Sequence, residues 1–229
     1  MGLGGCKTES QLEDRSRQRS GMRRWGRRNS ALYGHWARLL AMLGYRRMIR
    51  RAVASLPQEG VLADIGCGTG EALSILARQR PGLRCIALDL SPEMVRRAAR
   101  IPTALPVAGD SEAIPLRSGG CAAVICFGVL GHLLDARLAV AESARILSPD
   151  GTLILWTRTG GFLSRLVAAG FERTNPGVRF LLHPAERIER HIIDAGLRVL
   201  EERRAAGGVL WRCERTPSPS PGLNPSGEE

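Results

Sequence analysis

Ten residues, Val61-Leu62-Ala63-Asp64-Ile65-Gly66-Cys67-Gly68-Thr69-Gly70, constrain this chain more than any other stretch. An apolar run of strand type reaches an acid and breaks into three glycines at alternate positions. Ala72, Leu73, Ile75, Leu76 and Ala77 then recur at the spacing of one buried helix face. A strand, a glycine turn and a helix form the first unit of a nucleotide-binding α/β domain. Glycines let the backbone turn tightly and lie against a ligand, and the helix start beyond them offers free N–H groups to polar atoms. The alternate spacing differs from the dinucleotide fingerprint, in which two residues separate the last two glycines.

Further strands follow, each leading to a polar edge. Arg84 to Asp89 reads as a second strand, and its final acid lies nineteen residues after Gly70. That interval suits a ribose-binding carboxylate, which can accept from two vicinal hydroxyls at once. Ser91 is placed to cap the next helix, with Pro92 at its first position. Leu105 to Asp110 reads as a third strand, again ending in an acid. The loop 109–116, Gly-Asp-Ser-Glu-Ala-Ile-Pro-Leu, is polar enough to hold an adenine: Asp110 would accept from its amine and the Ser111 N–H would reach a ring nitrogen. Ala122 to Phe127 is a continuous apolar run, as in a central parallel strand. A helix follows from Ala136 to Leu147, then a Pro149-Asp150-Gly151 turn and a strand over 152–156.

The segment from Thr159 to about Phe180 reads as irregular, a substrate lid or a plain connector. A helix over 184–195 and a closing hairpin around Gly207-Gly208 complete the pattern. The expected fold is α/β: a doubly wound, Rossmann-like, seven-stranded, mostly parallel sheet with a closing antiparallel hairpin.

Charge divides the chain more sharply than hydrophobicity does. Of the net +11, residues 1–56 carry thirteen bases against three acids, whereas the remainder is nearly balanced. Residues 1–29 are expected to be a disordered basic arm whose arginines repel one another. Residues 30–215 are expected to form the domain, with a helical cap over 30–56, and 216–229 a disordered Ser/Pro/Gly tail. The basic arm points to an anionic surface, a membrane face or RNA, or to a solvated tail with no partner. Six scattered cysteines without a Cys-x-x-Cys pair argue for free cytoplasmic thiols and against a metal site or disulfide frame. No apolar run is long enough to span a bilayer. The expected location is the cytoplasm, or the periphery of a membrane.

DIGCGTG (64–70), ALDLSPEMV (87–95), GDSEAIPL (109–116), CFGVLGHLLD (126–135) and ARILSPDGTLIL (144–155) together resemble the class I S-adenosylmethionine-dependent methyltransferases of the type-11 group. By eye the ubiquinone/menaquinone C-methyltransferases are nearest. They share a Tyr-containing helix before an arginine cluster (here Tyr33, then Arg46 to Arg51), a GDxExxP loop and an FG pair after the fourth strand. Where they follow FG with Arg-Asn, this chain has Val129-Leu130-Gly131-His132, and their Tyr-Asp pair is Tyr33-Gly34.

The resemblance implies S-adenosyl-L-methionine as cofactor. Asp64 with Gly66, Gly68 and Gly70 would hold its methionine part, and Asp89 its ribose. Leu90 belongs to the same site, Met94 would lie against the adenine, and Asp110 and Ser111 would meet the adenine's edge. The Phe127 carbonyl would accept from the amino group, and Tyr33 would cover the cofactor. His132, just past the fourth strand, is either a base or substrate orienter, or a packing residue at a helix start. The implied activity is methyl transfer to a small-molecule acceptor such as a quinone or lipid-like ring. The alternative is an RNA-modifying methyltransferase whose basic arm holds phosphates.

Overall fold

The computed structural model describes residues 9–29, 44–176 and 178–216. Seven strands form one sheet in the order β3-β2-β1-β4-β5-β7-β6. Five are parallel: β1 (Glu59–Ile65), β2 (Gly82–Asp89), β3 (Ala104–Ala108), β4 (Cys121–Phe127) and β5 (Leu147–Thr157). The hairpin β6 (Leu197–Ala205) and β7 (Gly208–Arg215) closes the sheet antiparallel to β5. Its two-residue turn takes Ala206 at φ 50° and Gly207 at φ 74°, the positive pair that matches strand twist. The expected fold class is the observed one.

Side-chain alternation builds two cores. Ala63, Ile65, Val124, Cys126, Leu153 and Leu155 face one way, toward α5 (Ala136–Ile146) and α7 (Ala185–Asp194). Leu62, Ala123, Ile125, Phe127 and Ile154 face the other, toward α2 (Tyr45–Val53) and α3 (Glu71–Gln79). Both faces of the central strands are therefore buried, which is why they read as unbroken apolar runs. Two more helices complete the domain: α4 (Pro92–Ala98) and α6 (Phe162–Thr174). Five of the six cysteines, Cys67, Cys85, Cys121, Cys126 and Cys213, are buried free thiols.

Three expectations need correction. Residues Glu9–Asn29, expected to be disordered, form a helix, α1. Its composition favours helix, with Glu9 in the first turn and Arg27 and Arg28 in the last. Arg15 and Arg19, expected to repel their neighbours, pair instead with acids of the domain. The segment expected to be irregular contains the thirteen-residue α6. Pro149-Asp150-Gly151 do not precede β5 but lie within it, where the pairing to β4 shifts register between Cys121 and Ala123. Of the cap expected over 30–56, only α2 and its flanks are described; Tyr33 and the Leu32–Leu43 face lie outside the described residues, as do Cys6 and 217–229.

Candidate functional site

Parallel strands leave their carboxyl ends along one edge, where the order reverses between β1 and β4. Asp64 stands near the end of β1, Asp89 ends β2, and Asp110 follows β3. The glycine loop is stitched to β2 by backbone: Gly66 N and Cys67 N both donate to the Leu88 carbonyl, at 2.8 and 2.9 Å. Asp89 fastens the loop's far side, accepting from Gly68 N at 2.9 Å and Ser91 N at 2.8 Å. Ser91 precedes α4 as expected, but makes no side-chain capping bond.

Gly66, at φ 68°, has no room for a side chain, because a Cβ there would overlap Val129 Cγ2. Gly70, at φ 88°, turns the chain into α3 against Ile101. Both need glycine for conformation and for space.

Asp64 is 2% exposed and its Oδ2 has no partner among the described residues. Burial and the nearby Asp89 push its pKa up to about 8. Burial also raises Asp89, opposed by the two backbone N–H groups it accepts from. Buried Asp64, mostly protonated near neutral pH, and partly buried Asp89 beside it thus form a site that gains negative charge when a cationic group arrives.

Asp110 is engaged on both oxygens. Oδ1 accepts from Glu112 N at 2.9 Å, and Oδ2 lies 2.7 Å from Arg19 Nε. Arg19 also reaches Glu112, while Arg15 bridges Glu112 and Asp135. Gln18, nearly buried on the same helix, donates to the carbonyls of His132 and Arg179 and accepts from Arg179 N. Together these contacts lay α1 across the open edge. Gly26 lets it approach α4, since a Cβ there would overlap Ser91 Oγ.

His132 sits at the end of a 3-10 turn after β4, enclosed by aromatic rings. Phe180 lies 4.8 Å away, Phe171 5.0 Å and Trp25 of α1 6.4 Å, between ring centroids. Burial lowers its pKa to about 4, so the ring is neutral around pH 7, and Nδ1 has no partner among the described residues. His183, by contrast, is held through Nε2 by the carbonyls of Leu130 and Leu133.

A cavity of about 760 Å³ joins these parts, within the usual range for small-molecule sites. Gly66, Gly68, Asp89, Leu90, Met94, Asp110, Ser111, Phe127 and His132 all line it. Asp64 and Gly70 do not: Asp64 lies beneath the loop, and Gly70 shapes the turn. Trp25, Phe171, Phe180 and Arg158 line it too, none of them singled out by sequence reasoning. An aromatic-rich α6 was the one available signal, and reading 159–180 as irregular concealed it.

Residues 63–155 match the family model described as a methyltransferase domain. The stretch is similar to a type-11 methyltransferase domain. Around it, the chain is 38% identical over 131 residues to a malonyl-[acyl-carrier protein] O-methyltransferase of Herminiimonas arsenicoxydans, covering 55% of this chain and 49% of that protein. It is 33% identical over 128 residues to a ubiquinone/menaquinone biosynthesis C-methyltransferase of Syntrophotalea carbinolica, covering 52% and 53%. The chain spans about half the length of these curated relatives.

A solved geranyl diphosphate C-methyltransferase of Streptomyces coelicolor, complexed with Mg2+, geranyl diphosphate and S-adenosyl-L-homocysteine, superposes on this chain with TM-score 0.63. It shares 15% identity, covers 76% of this chain and 80% of its own, and so bears on the fold. S-adenosylmethionine is the cofactor of such a domain. The residues present fit it: a buried carboxylate with one oxygen unpartnered among the described residues, a second acid beside it, and a loop whose Gly66 has no room for a side chain.

Proposed function

We propose that this chain transfers a methyl group from S-adenosylmethionine to a small-molecule acceptor with a flat or lipid-like apolar part, such as a quinone ring. The observation that carries the reading is one continuous cavity, acidic and backbone-lined at the β1–β2–β3 edge and aromatic beside β4. Asp89 takes the ribose hydroxyls while keeping the glycine loop in place. Asp64, beneath the loop, supplies negative charge to the cationic part of the cofactor and becomes fully ionised when that charge arrives. Leu90, Met94 and Ser111 enclose the adenine, Asp110 meets its edge, and the Phe127 carbonyl accepts from the amino group. When bound, the cofactor supplies an electrophilic methyl group.

The protein's remaining work is alignment and exclusion of water. Trp25, Phe171 and Phe180 hold an apolar acceptor, and α1 roofs it. His132, neutral and buried, can take a proton from the acceptor at its unpartnered Nδ1. A relative named for quinone biosynthesis supports a small-molecule acceptor. A membrane-borne acceptor would approach α6, where Phe162 is 85% exposed and Leu166, also exposed, lines the cavity. No helix among the described residues is long and apolar enough to cross a membrane. Of the arm's arginines, Arg15 and Arg19 are committed to Asp110, Glu112 and Asp135, whereas Arg23, Arg24, Arg27 and Arg28 are exposed, and the RNA alternative rests on these.

The test is a label-partition assay. Protein receives methyl-labelled cofactor and cell extract, which is then split into organic, aqueous, RNA and protein fractions. Label in the organic or aqueous small-molecule fraction, abolished by Asp89→Ala, is expected. Label in RNA, or none in any fraction, would overturn the reading.

A further inference from the structure

Arg158, the first residue after β5, is 5% exposed and lines the cavity. Neither Nη1 nor Nη2 has a hydrogen-bond partner among the described residues, and Arg158 forms no salt bridge there. Other arginines whose heads turn inward are treated differently in this chain. Arg145 is bonded to Glu142 and to the Leu116 and Ile114 carbonyls, and Arg215 to the Leu147 and Ala144 carbonyls. An uncompensated buried cation is strongly destabilising, so a fold that retains one has a counter-charge to receive.

The surroundings hold the guanidinium in place without neutralising it. Its Cζ lies 5.7 Å from the centroid of the Trp156 ring, a stacking contact of the cation–π kind. The indole is itself fixed: Nε1 donates to the Ala205 carbonyl at 2.9 Å, and Tyr45 packs edge-on at 5.1 Å. Gly207 at the hairpin turn leaves the space Nη1 occupies, since a Cβ there would stand 3.0 Å from it. Burial lowers the guanidinium's pKa, with Tyr45 opposing. The Arg158 side chain is thus packed on its ring face and borders the cavity, with Nη1 and Nη2 themselves buried.

Position separates this charge from the cofactor's acids. Asp64 and Asp89 belong to β1 and β2, whereas Arg158 follows β5, two strands across from β1 beyond β4. At the usual strand spacing that is about 10 Å. Asp89 and the buried cation thus border one cavity from opposite sides of the switch point.

We infer that Arg158 is the anchor for an oxyanion of the methyl acceptor, a carboxylate or phosphoryl group gripped by both terminal nitrogens. The inference rests on the methyltransferase reading and adds that the acceptor has an anionic end as well as an apolar body. A guanidinium fork matches two oxygens of such a group, which a lysine cannot do.

The test uses the full chain loaded with S-adenosylhomocysteine and titrated by calorimetry with malonate or inorganic pyrophosphate, at constant ionic strength. Saturable binding of at least one probe is expected. Arg158→Gln should weaken it by about tenfold or more and Arg158→Lys by less, with S-adenosylhomocysteine affinity unchanged in both. Preference for malonate marks a carboxylate acceptor, and preference for pyrophosphate a phosphorylated one. Equal probe binding by wild type and Arg158→Gln, or binding of neither probe, would overturn the inference. So would loss of S-adenosylhomocysteine affinity in Arg158→Gln, which would move Arg158 to the cofactor's side. Failure of the wild type to bind S-adenosylhomocysteine would instead bring down the methyltransferase reading, and this inference with it.

Discussion

The two halves of the cavity are built by different means. At the β1–β2–β3 edge the walls are mostly backbone: glycines without room for side chains, N–H groups tied to Asp89, and strand-end acids. Beside β4 and β5 the walls are side chains drawn from distant segments: Trp25 from α1, His132 after β4, Arg158 after β5, Phe171 from α6 and Phe180 beyond it. The first half suits a ligand that never changes. The second can be altered residue by residue without disturbing the sheet, which is how one fold serves many acceptors.

The largest expected effect falls on the backbone half. Asp89→Ala should lower cofactor affinity by about a hundredfold or more, because it removes the proposed ribose acceptor and frees Gly68 N and Ser91 N together. Calorimetry with S-adenosylhomocysteine measures it; unchanged affinity would erase the distinction between the halves.

Gly66→Ala should destabilise the fold by about 2–3 kcal/mol in urea unfolding, from the overlap with Val129 and the positive φ. Adding Val129→Ala should recover the steric share and leave the conformational share. Full recovery would show that space alone governs the loop.

The titration of Asp64 sharpens the electrostatic side. Its folded pKa, about 8, lies above its ordinary 3.8, so the folded state binds the extra proton between those values. Without ligand, stability should therefore fall as pH rises from about 4 to 8. Asp64→Asn should flatten that slope and raise the melting temperature at the alkaline end. A cofactor-free melting profile that climbs over this range would contradict the assignment.

The smallest effect belongs to the roof. Arg15→Ala with Arg19→Ala should cost about 1 kcal/mol, since Arg19 is partly exposed and screened. Faster proteolysis within residues 9–29, with the domain's melting little changed, is the expected signature. If the domain unfolds along with α1, the roof is part of the core.

Much of the backbone half was legible in the sequence because its signals are local. Three glycines, an acid before them and another nineteen residues on are fixed by spacing within two β/α units. The mostly parallel seven-stranded fold class followed for the same reason. The side-chain half was not legible, because its members are far apart and individually ordinary. Arg158 read as one arginine among many, and only its burial without a partner distinguishes it. Residues 9–29 misled because charge repulsion was counted along the arm alone, while the partners of Arg15, Glu112 and Asp135, lie 97 and 120 residues away in sequence.

The placement of β7 between β5 and β6 has a consequence for how the molecule comes into being. Synthesis delivers β6 before the strand that joins it to the sheet, so Leu197–Ala205 has no neighbour to pair with until Gly208–Arg215 emerges. The five parallel strands can assemble while the chain is still growing. Trp156 and Arg158 meet their hairpin neighbours Ala205 and Gly207 only afterwards. The end of the cavity beside Arg158 is therefore the last to be finished, and the glycine-loop end is in place before it.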